Sequence, residues 1–81
     1  MKTQVQLFAL ARERAGQSVI ELDLPDEATV FNLRQKLGEV VPGLQQLIPH
    51  LLIAMGDDTV DDATPVIDGL PVACFPPVSG G

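Results

Sequence analysis

The fold is decided by TVFNLRQKLGEVV, residues 29–41, a stretch with the apolar spacing of a helix. Its apolar residues recur every three or four positions, as they do on the buried face of a helix. They are Val30, Leu33, Leu37 and either Val40 or Val41. Thr29 can cap the first turn, and the helix must end before Pro42, which cannot continue the backbone hydrogen bonding. The stretch therefore predicts one main helix.

Two features bear on the stability of this helix. Asp26 and Glu27 precede it, near the positive end of its dipole, where carboxylates are favourable. Gly38 lies inside it and costs up to about 1 kcal/mol relative to alanine. The pattern leaves open whether Gly38 frays the helix or permits close packing.

Two strands are predicted before the helix. Residues 4–10 begin with period-two alternation and then become apolar on both faces, which is typical of a central strand. Residues 11–15 contain no strand formers and end at Gly16, which favours a helical turn closing on glycine. Residues 18–24 alternate again up to Pro25, so they should pair with the first strand as a long-looped hairpin.

Three shorter strands are predicted after the helix. Residues 42–49 indicate a loop with a short helical turn, and residues 51–55 a third strand. Residues 59–60 form a short fourth strand, and Asp68-Gly69 turns the chain into a final strand at residues 70–75. This order predicts an α+β domain, residues 1–75, with a mixed sheet of about five strands and the helix packed on one face. The order and length resemble the ubiquitin-like β-grasp fold.

Composition narrows the class of protein. Eighty-one residues predict one domain, and no apolar stretch reaches the roughly 20 residues of a membrane span. The start of the chain lacks a signal-peptide pattern, and a single cysteine, Cys74, suits a reducing compartment. The predicted location is therefore the cytoplasm. A net charge of −6 argues against nucleic acid and favours a basic protein partner.

The sequence ends in FPPVSGG, residues 75–81, and residues 76–81 of this segment predict an extended C-terminal tail. Pro76-Pro77 favours a polyproline conformation, whereas Ser79-Gly80-Gly81 has few conformational restraints. Residues 76–81 could project the terminal carboxylate on the order of 20 Å. Glycine suits a tunnel too narrow for a Cβ atom, so we expect the Gly81 carboxylate to be the functional group and another protein to receive it.

Four segments carry a resemblance to a known family. They are residues 8–16 (FALARERAG), the helix entry from Leu24-Pro25 to Thr29-Val30, Asp68-Gly69, and above all FPPVSGG. With them the whole chain resembles the MoaD family, the small sulfur-carrier subunits of molybdopterin synthase. Two departures, Leu70-Pro71 in place of acidic residues and Met55 in place of asparagine, bear on turns or docking contacts and leave the tail intact.

The resemblance implies a carrier mechanism. A MoeB-like adenylyltransferase, related to ubiquitin-activating enzymes, uses ATP to adenylate Gly81, and sulfur then displaces AMP to give a thiocarboxylate. The tail, Pro76, Pro77, Val78, Ser79, Gly80 and Gly81, enters a MoaE-like large subunit, which supplies the catalytic groups. There the sulfur passes to a pterin precursor to build the molybdopterin dithiolene. The resemblance also implies a heterotetramer and no cofactor bound by this chain.

The remaining candidate residues are mostly interpreted as structural. Phe8 and Phe75 are predicted partner-binding residues, with Phe75 as the anchor and core packing as the alternative. Cys74 is interpreted as a buried packing residue and His50 as a loop residue. No metal site is predicted, because the acidic residues lack the spacing of a calcium loop and indicate solvated turns. These are Asp57, Asp58, Asp61, Asp62 and Asp68.

Three other functions remain open at the level of sequence. The chain could carry sulfur for another pathway, such as thiamine synthesis. It could be a ubiquitin-like modifier joined to protein lysines through the same activated glycine. It could also be a β-grasp interaction module whose glycines are an inert frayed end. The absence of phosphate-binding P-loop spacing places ATP binding on a partner wherever Gly81 is activated.

Overall fold

The computed structural model describes residues 1–77. Its strands are β1 (Lys2–Leu7), β2 (Val19–Asp23), β3 (Leu52–Met55), β4 (Asp58–Val60) and β5 (Val72–Phe75). Its α-helices are α1 (Ala9–Ala15) and α2 (Val30–Val40), and two 3-10 turns follow α2 at Pro42–Leu44 and Ile48–His50. None of these helices is long and apolar enough to cross a membrane.

The five strands form one mixed sheet in the order β2-β1-β5-β3-β4. The central pair, β1 and β5, is parallel, while the β1–β2, β3–β5 and β3–β4 pairs are antiparallel. This arrangement confirms the predicted mixed sheet with one main helix, and also the central position of the first strand. Because β1 and β5 are parallel neighbours, the C-terminal ends of both strands lie side by side at the same end of the sheet.

The core lies between α2 and the inward face of the sheet. Val30, Leu33 and Leu37 of α2 are fully buried, as the helical spacing predicts. The strands contribute alternate residues, among them Val5 and Leu7 of β1. Other members of this core are Ile20, Leu22, Leu51, Ile53, Met55, Val72 and Cys74. One apolar face of the helix and one face of the sheet are therefore removed from water together.

The connection after α2 differs from the prediction of a loop with one helical turn. It contains two 3-10 turns, and Leu44 at the end of the first is fully buried. Full burial of a leucine side chain contributes roughly 1.5–3 kcal/mol, so this connection is part of the core. The choice between two valines at the end of α2 is also settled, because Val41 packs against the core whereas Val40 is half exposed.

The predicted cap of α2 is confirmed. The Thr29 hydroxyl accepts a hydrogen bond from the Asn32 backbone N–H at 3.4 Å, and the Asn32 side-chain oxygen accepts one from the Thr29 N–H at 2.9 Å. This reciprocal capping box satisfies two backbone donors at the helix start. Thr29 was predictable from the sequence, but Asn32 was not, because the usual box has glutamate or glutamine at that position.

The prediction of strand structure over residues 4–10 is wrong at its end. β1 stops at Leu7, and residues 9 and 10 already belong to α1. Phe8 keeps an extended backbone, and Ala9 turns the chain with a φ of +52°. An apolar run without alternation fits either element, so the local pattern could not place this boundary. The helical turn closes at Gly16, with a φ of +74°, as predicted.

The final strand is shorter than the predicted residues 70–75. The Leu70 N–H donates to the Ile67 carbonyl at 3.2 Å, and Gly69 between them has a φ of +83°. These features are those of a type II turn, so the turn predicted at Asp68-Gly69 is confirmed. Leu70 still belongs to the turn and Pro71 lacks an N–H, so β5 begins at Val72. The other strands agree with prediction within one residue at each end.

Gly38→Ala is expected to raise the free energy of unfolding by about 0.5–1 kcal/mol, because glycine inside a helix costs that much. An added Cβ would meet Gln45 Cγ at 3.6 Å and Ile48 Cγ1 at 3.7 Å, which is ordinary contact. Urea unfolding measures the change. Gly69→Ala is the matched control and should be destabilising, because its positive φ disfavours a side chain. A loss of stability in Gly38→Ala would show that packing requires glycine there.

Candidate functional site

The tail leaves the sheet beside a row of exposed apolar side chains. β5 ends at Phe75, and Leu52 of β3 is its cross-strand neighbour. On the other side, Leu7 pairs with Cys74 in the parallel β1–β5 ladder, which places Phe8 next to Phe75. The Phe8 N–H extends this ladder by donating to the Cys74 carbonyl at 3.3 Å. Three neighbouring strands therefore bring Phe8, Phe75 and Leu52 together where the tail begins.

The two phenylalanine rings form a parallel stack. Their centroids are 4.7 Å apart and their planes differ by 8°, while each residue remains 38% exposed. Stacked aromatic pairs contribute about 0.5–1.5 kcal/mol beyond the burial of their surface. The prediction that at least one of these residues projects outward is confirmed for both. Neither belongs to the buried core, and the role of Phe75 as a partner anchor stays a prediction.

A groove of about 670 Å³ surrounds this stack. Ala9 also lines this groove, and we call its larger apolar lining residues the tail-base patch: Phe8, Leu10, Leu52, Phe75, Pro76 and Pro77. Leu10 and Leu52 are 39% and 48% exposed. Contiguous exposed apolar surface of this kind marks interaction sites, so the patch is the candidate docking surface of the described residues.

The sequence pattern indicated only part of the tail-base patch. It singled out Phe8 and Phe75 but missed Leu10 and Leu52. The signal for Leu52 was available, because alternation buries Leu51 and Ile53 and turns Leu52 outward with Phe75. No comparable signal existed for Leu10, because its exposure follows from the early start of α1.

Only the first two residues of the predicted tail belong to the part of the chain that the structure describes. Pro76 is half buried and Pro77 exposed. Val78, Ser79, Gly80 and Gly81 lie outside the described residues, so the predicted roles of these residues stay predictions.

Cys74 lies on the opposite side of β5 from its neighbour Phe75. It is fully buried, and burial raises the pKa of its thiol from 9.0 to about 12, against the smaller opposing effect of the Arg34 charge. A thiol with this pKa is almost entirely protonated at neutral pH and is a poor nucleophile. The interpretation of Cys74 as a packing residue is confirmed.

The remaining polar candidates lie at the surface. His50 is exposed in the second 3-10 turn, and the five aspartates of the acidic segment are exposed. Asp61 accepts hydrogen bonds from the Ala63 N–H and the Thr64 hydroxyl, and Asp62 pairs with Arg34 at 2.7 Å. Within residues 1–77, no three histidine, cysteine or acidic side chains gather as a metal-binding group. Asp61 thus stabilises its own turn, as turn residues commonly do, whereas Asp62 links the acidic segment to α2 through Arg34.

Comparison with known proteins places the chain in a family. The profile of the ThiS family matches residues 5–81. The molybdopterin synthase sulfur carrier subunit of Dictyostelium discoideum is 35% identical over 81 residues, covering 96% of this chain and 94% of that protein. Small archaeal modifier protein 3 of Haloferax volcanii is 33% identical over the full length of both chains.

A solved structure supports the same assignment. The crystal structure of SAMP1 from Haloferax volcanii matches all of this chain and all of its own, with a TM-score of 0.88 and 26% sequence identity. The resemblance to the MoaD family inferred from the tail and the helix entry is confirmed. The chain therefore belongs to the ThiS family and has the ubiquitin-like β-grasp fold.

Proposed function

We propose that this chain is the sulfur-carrier small subunit of a molybdopterin synthase and that the Gly81 carboxylate carries the sulfur. The observation that carries the proposal is the exposed aromatic stack beside the start of a tail that ends in Gly80-Gly81. A docking surface and a narrow glycine tail suit delivery of a terminal group into a partner. The relative named a molybdopterin synthase sulfur carrier subunit supports the choice of pathway.

The proposed chemistry begins with activation of a poor acyl donor. A Gly81 carboxylate oxygen attacks the α-phosphate of ATP on an adenylyltransferase, releasing pyrophosphate and leaving an acyl adenylate. Hydrosulfide from the sulfur donor then attacks the acyl carbon, the C–O bond to AMP breaks, and the S–H proton is lost to solvent. The product is a thiocarboxylate, with one oxygen of Gly81 replaced by sulfur. Every catalytic group in these steps belongs to the partner, as expected for a chain whose one thiol is buried.

The described residues have a binding role in this proposal. The tail-base patch docks first on the adenylyltransferase and later on the large synthase subunit. The acidic surface, which gives the chain its net charge of −6, favours basic partners and speeds their association at low salt. Pro76 and Pro77 hold the start of the tail extended, while Gly80 and Gly81 present no side chain to a narrow channel. On the large subunit the thiocarboxylate sulfur bonds to a carbon of the pterin precursor, and water cleaves the acyl C–S bond to return the Gly81 carboxylate.

The test is the intact mass of the full chain after incubation with the adenylyltransferase, Mg-ATP and a sulfur donor. We expect a gain equal to the replacement of one oxygen by sulfur. A chain lacking Gly81 should show no gain in mass, because its terminal carboxylate then belongs to Gly80 and does not reach the position where the adenylyltransferase activates it. Absence of the gain with an enzyme that forms the adenylate would overturn the sulfur-carrier proposal.

A ubiquitin-like modifier is the second candidate function, and the 33% identity to small archaeal modifier protein 3 favours it. In that case the activated Gly81 carbonyl would form an isopeptide bond with a lysine amine of another protein. Digestion of cell extract followed by mass spectrometry would detect lysines carrying the C-terminal residues of this chain. Such conjugates, without a free thiocarboxylate, would replace the first proposal by the second.

A further inference from the structure

The turn between β1 and α1 contains an unusual backbone. Ala9 and Glu27 are the only non-glycine residues with positive φ among residues 1–77, and Ala9 has a φ of +52°. This left-handed region is unfavourable for a residue with a Cβ. Such conformations persist where the surrounding structure holds them, and they cluster at functional sites. Ala9 lies between Phe8 and Leu10, which are both members of the tail-base patch.

Ala9 alone redirects the chain at this point. Its predecessor Phe8 is still extended and bound to β5 through the Cys74 carbonyl at 3.3 Å. Its successors are already helical, because the Ala11 N–H donates to the Phe8 carbonyl at 3.1 Å. A single residue therefore ends the strand and begins the helix while leaving Phe8 in register with Phe75. The result is a ring separation of 4.7 Å with nearly parallel planes.

We infer that Phe8 and Ala9 are positioning residues for the tail. The left-handed turn at Ala9 holds the Phe8 ring against Phe75, and the stacked Phe75 sets the direction in which Pro76 and Pro77 leave the sheet. A fixed exit raises the fraction of chains whose tail points into a docked partner. Apparent affinity falls in proportion when that fraction falls. This inference rests on the proposed function and adds to it the element that aims the tail.

Ala9→Gly tests the inference, because glycine relieves the left-handed strain but also opens other backbone conformations. The assay uses the chain as substrate of the adenylyltransferase and measures thiocarboxylate formation. We expect KM to rise about fivefold, because the fraction of chains whose tail points into the docked enzyme falls by that factor. The value of kcat should not change. Tm should stay the same or rise. A purely structural role would instead lower Tm and leave KM unchanged for the folded chain.

D-alanine at position 9, introduced by chemical synthesis of the chain, is the matched control. A D-residue prefers positive φ, so it should keep the turn and restore KM, although its methyl group points elsewhere. Restoration would exclude loss of a methyl contact as the cause. Phe8→Leu keeps the surface apolar but removes the stack, so it should raise KM like Ala9→Gly. The double variant should show no further rise, because both changes act through one stack.

NMR of the free chain gives a readout that does not depend on activity. Ring-current shifts of the Phe8 and Phe75 protons report the stack, and 13Cα relaxation at Pro76 reports the rigidity of the exit. We expect Ala9→Gly to reduce both the shifts and the rigidity. Equal Pro76 relaxation in the two chains, or an unchanged KM, would overturn the inference. If the wild-type chain gains no sulfur, the proposed function fails and the relaxation comparison alone decides on positioning.

Discussion

Leu33→Ala is expected to lower the free energy of unfolding by about 2–5 kcal/mol, the range for truncating a buried leucine. Leu33 is fully buried and lies in the middle of α2, on the face that meets the sheet. Removing three side-chain carbons there loses apolar burial and leaves a cavity that the packed strands fill only in part. Urea unfolding followed by circular dichroism measures the loss as a lower midpoint.

The size of this effect matters because small domains have little stability to lose. At roughly 0.05–0.15 kcal/mol per residue, a chain of this length has about 4–12 kcal/mol in total. Val40→Ala is the control on the same helix, since Val40 is 49% exposed and its truncation should change stability by no more than about 0.5 kcal/mol. Similar losses in both variants would mean that α2 does not pack as described.

The sequence predicted those parts of the fold that depend on local pattern. The α2 helix could be read from its apolar spacing, its threonine cap and the following proline, because each acts within one or two helical turns. The turn at Asp68-Gly69 was predictable for the same reason, since glycine meets a local demand for positive φ. The burial of Leu44 could not be predicted, because it depends on how the connection after α2 folds back against the core. The apolar spacing of the neighbouring residues does not indicate that contact.

The candidate site was less predictable than the fold. Phe8 and Phe75 could be singled out as two of three aromatic residues, but their stacking depends on the parallel pairing of β1 with β5. That pairing joins opposite ends of the chain, and its register has no local signature. The left-handed turn at Ala9 could not be predicted either, because alanine, unlike glycine, does not indicate a positive φ. The choice of Gly81 rested on the family resemblance and the tail composition, and it stays a prediction.

Cys74 should make the domain less stable as the pH rises from about 9 to about 12. Burial raises its pKa from 9.0 to about 12 in the folded chain, whereas the unfolded thiol keeps its ordinary value. Between these two values the unfolded chain releases a proton that the folded chain retains. The unfolded state therefore binds fewer protons, and the free energy of unfolding falls with pH. The slope approaches about 1.4 kcal/mol per pH unit above the ordinary pKa.

Comparison with Cys74→Ala isolates this contribution from lysines and other groups that also titrate at alkaline pH. At pH 7 the variant should be the less stable chain, because it leaves a small cavity in the core. That deficit should shrink between pH 9 and pH 11, by about 1.4 kcal/mol for each pH unit well above the ordinary pKa, when both chains are unfolded in urea under reducing conditions.

A constant difference between the two chains would mean that the folded thiol ionises as readily as the unfolded one. That outcome would contradict the burial of the Cys74 side chain in the apolar core. A shrinking difference in the free energy of unfolding would show that the pKa of the folded thiol is raised. The thiol is then protonated in the folded domain at neutral pH. That outcome would agree with the proposal that sulfur is carried on the Gly81 carboxylate and not on the thiol.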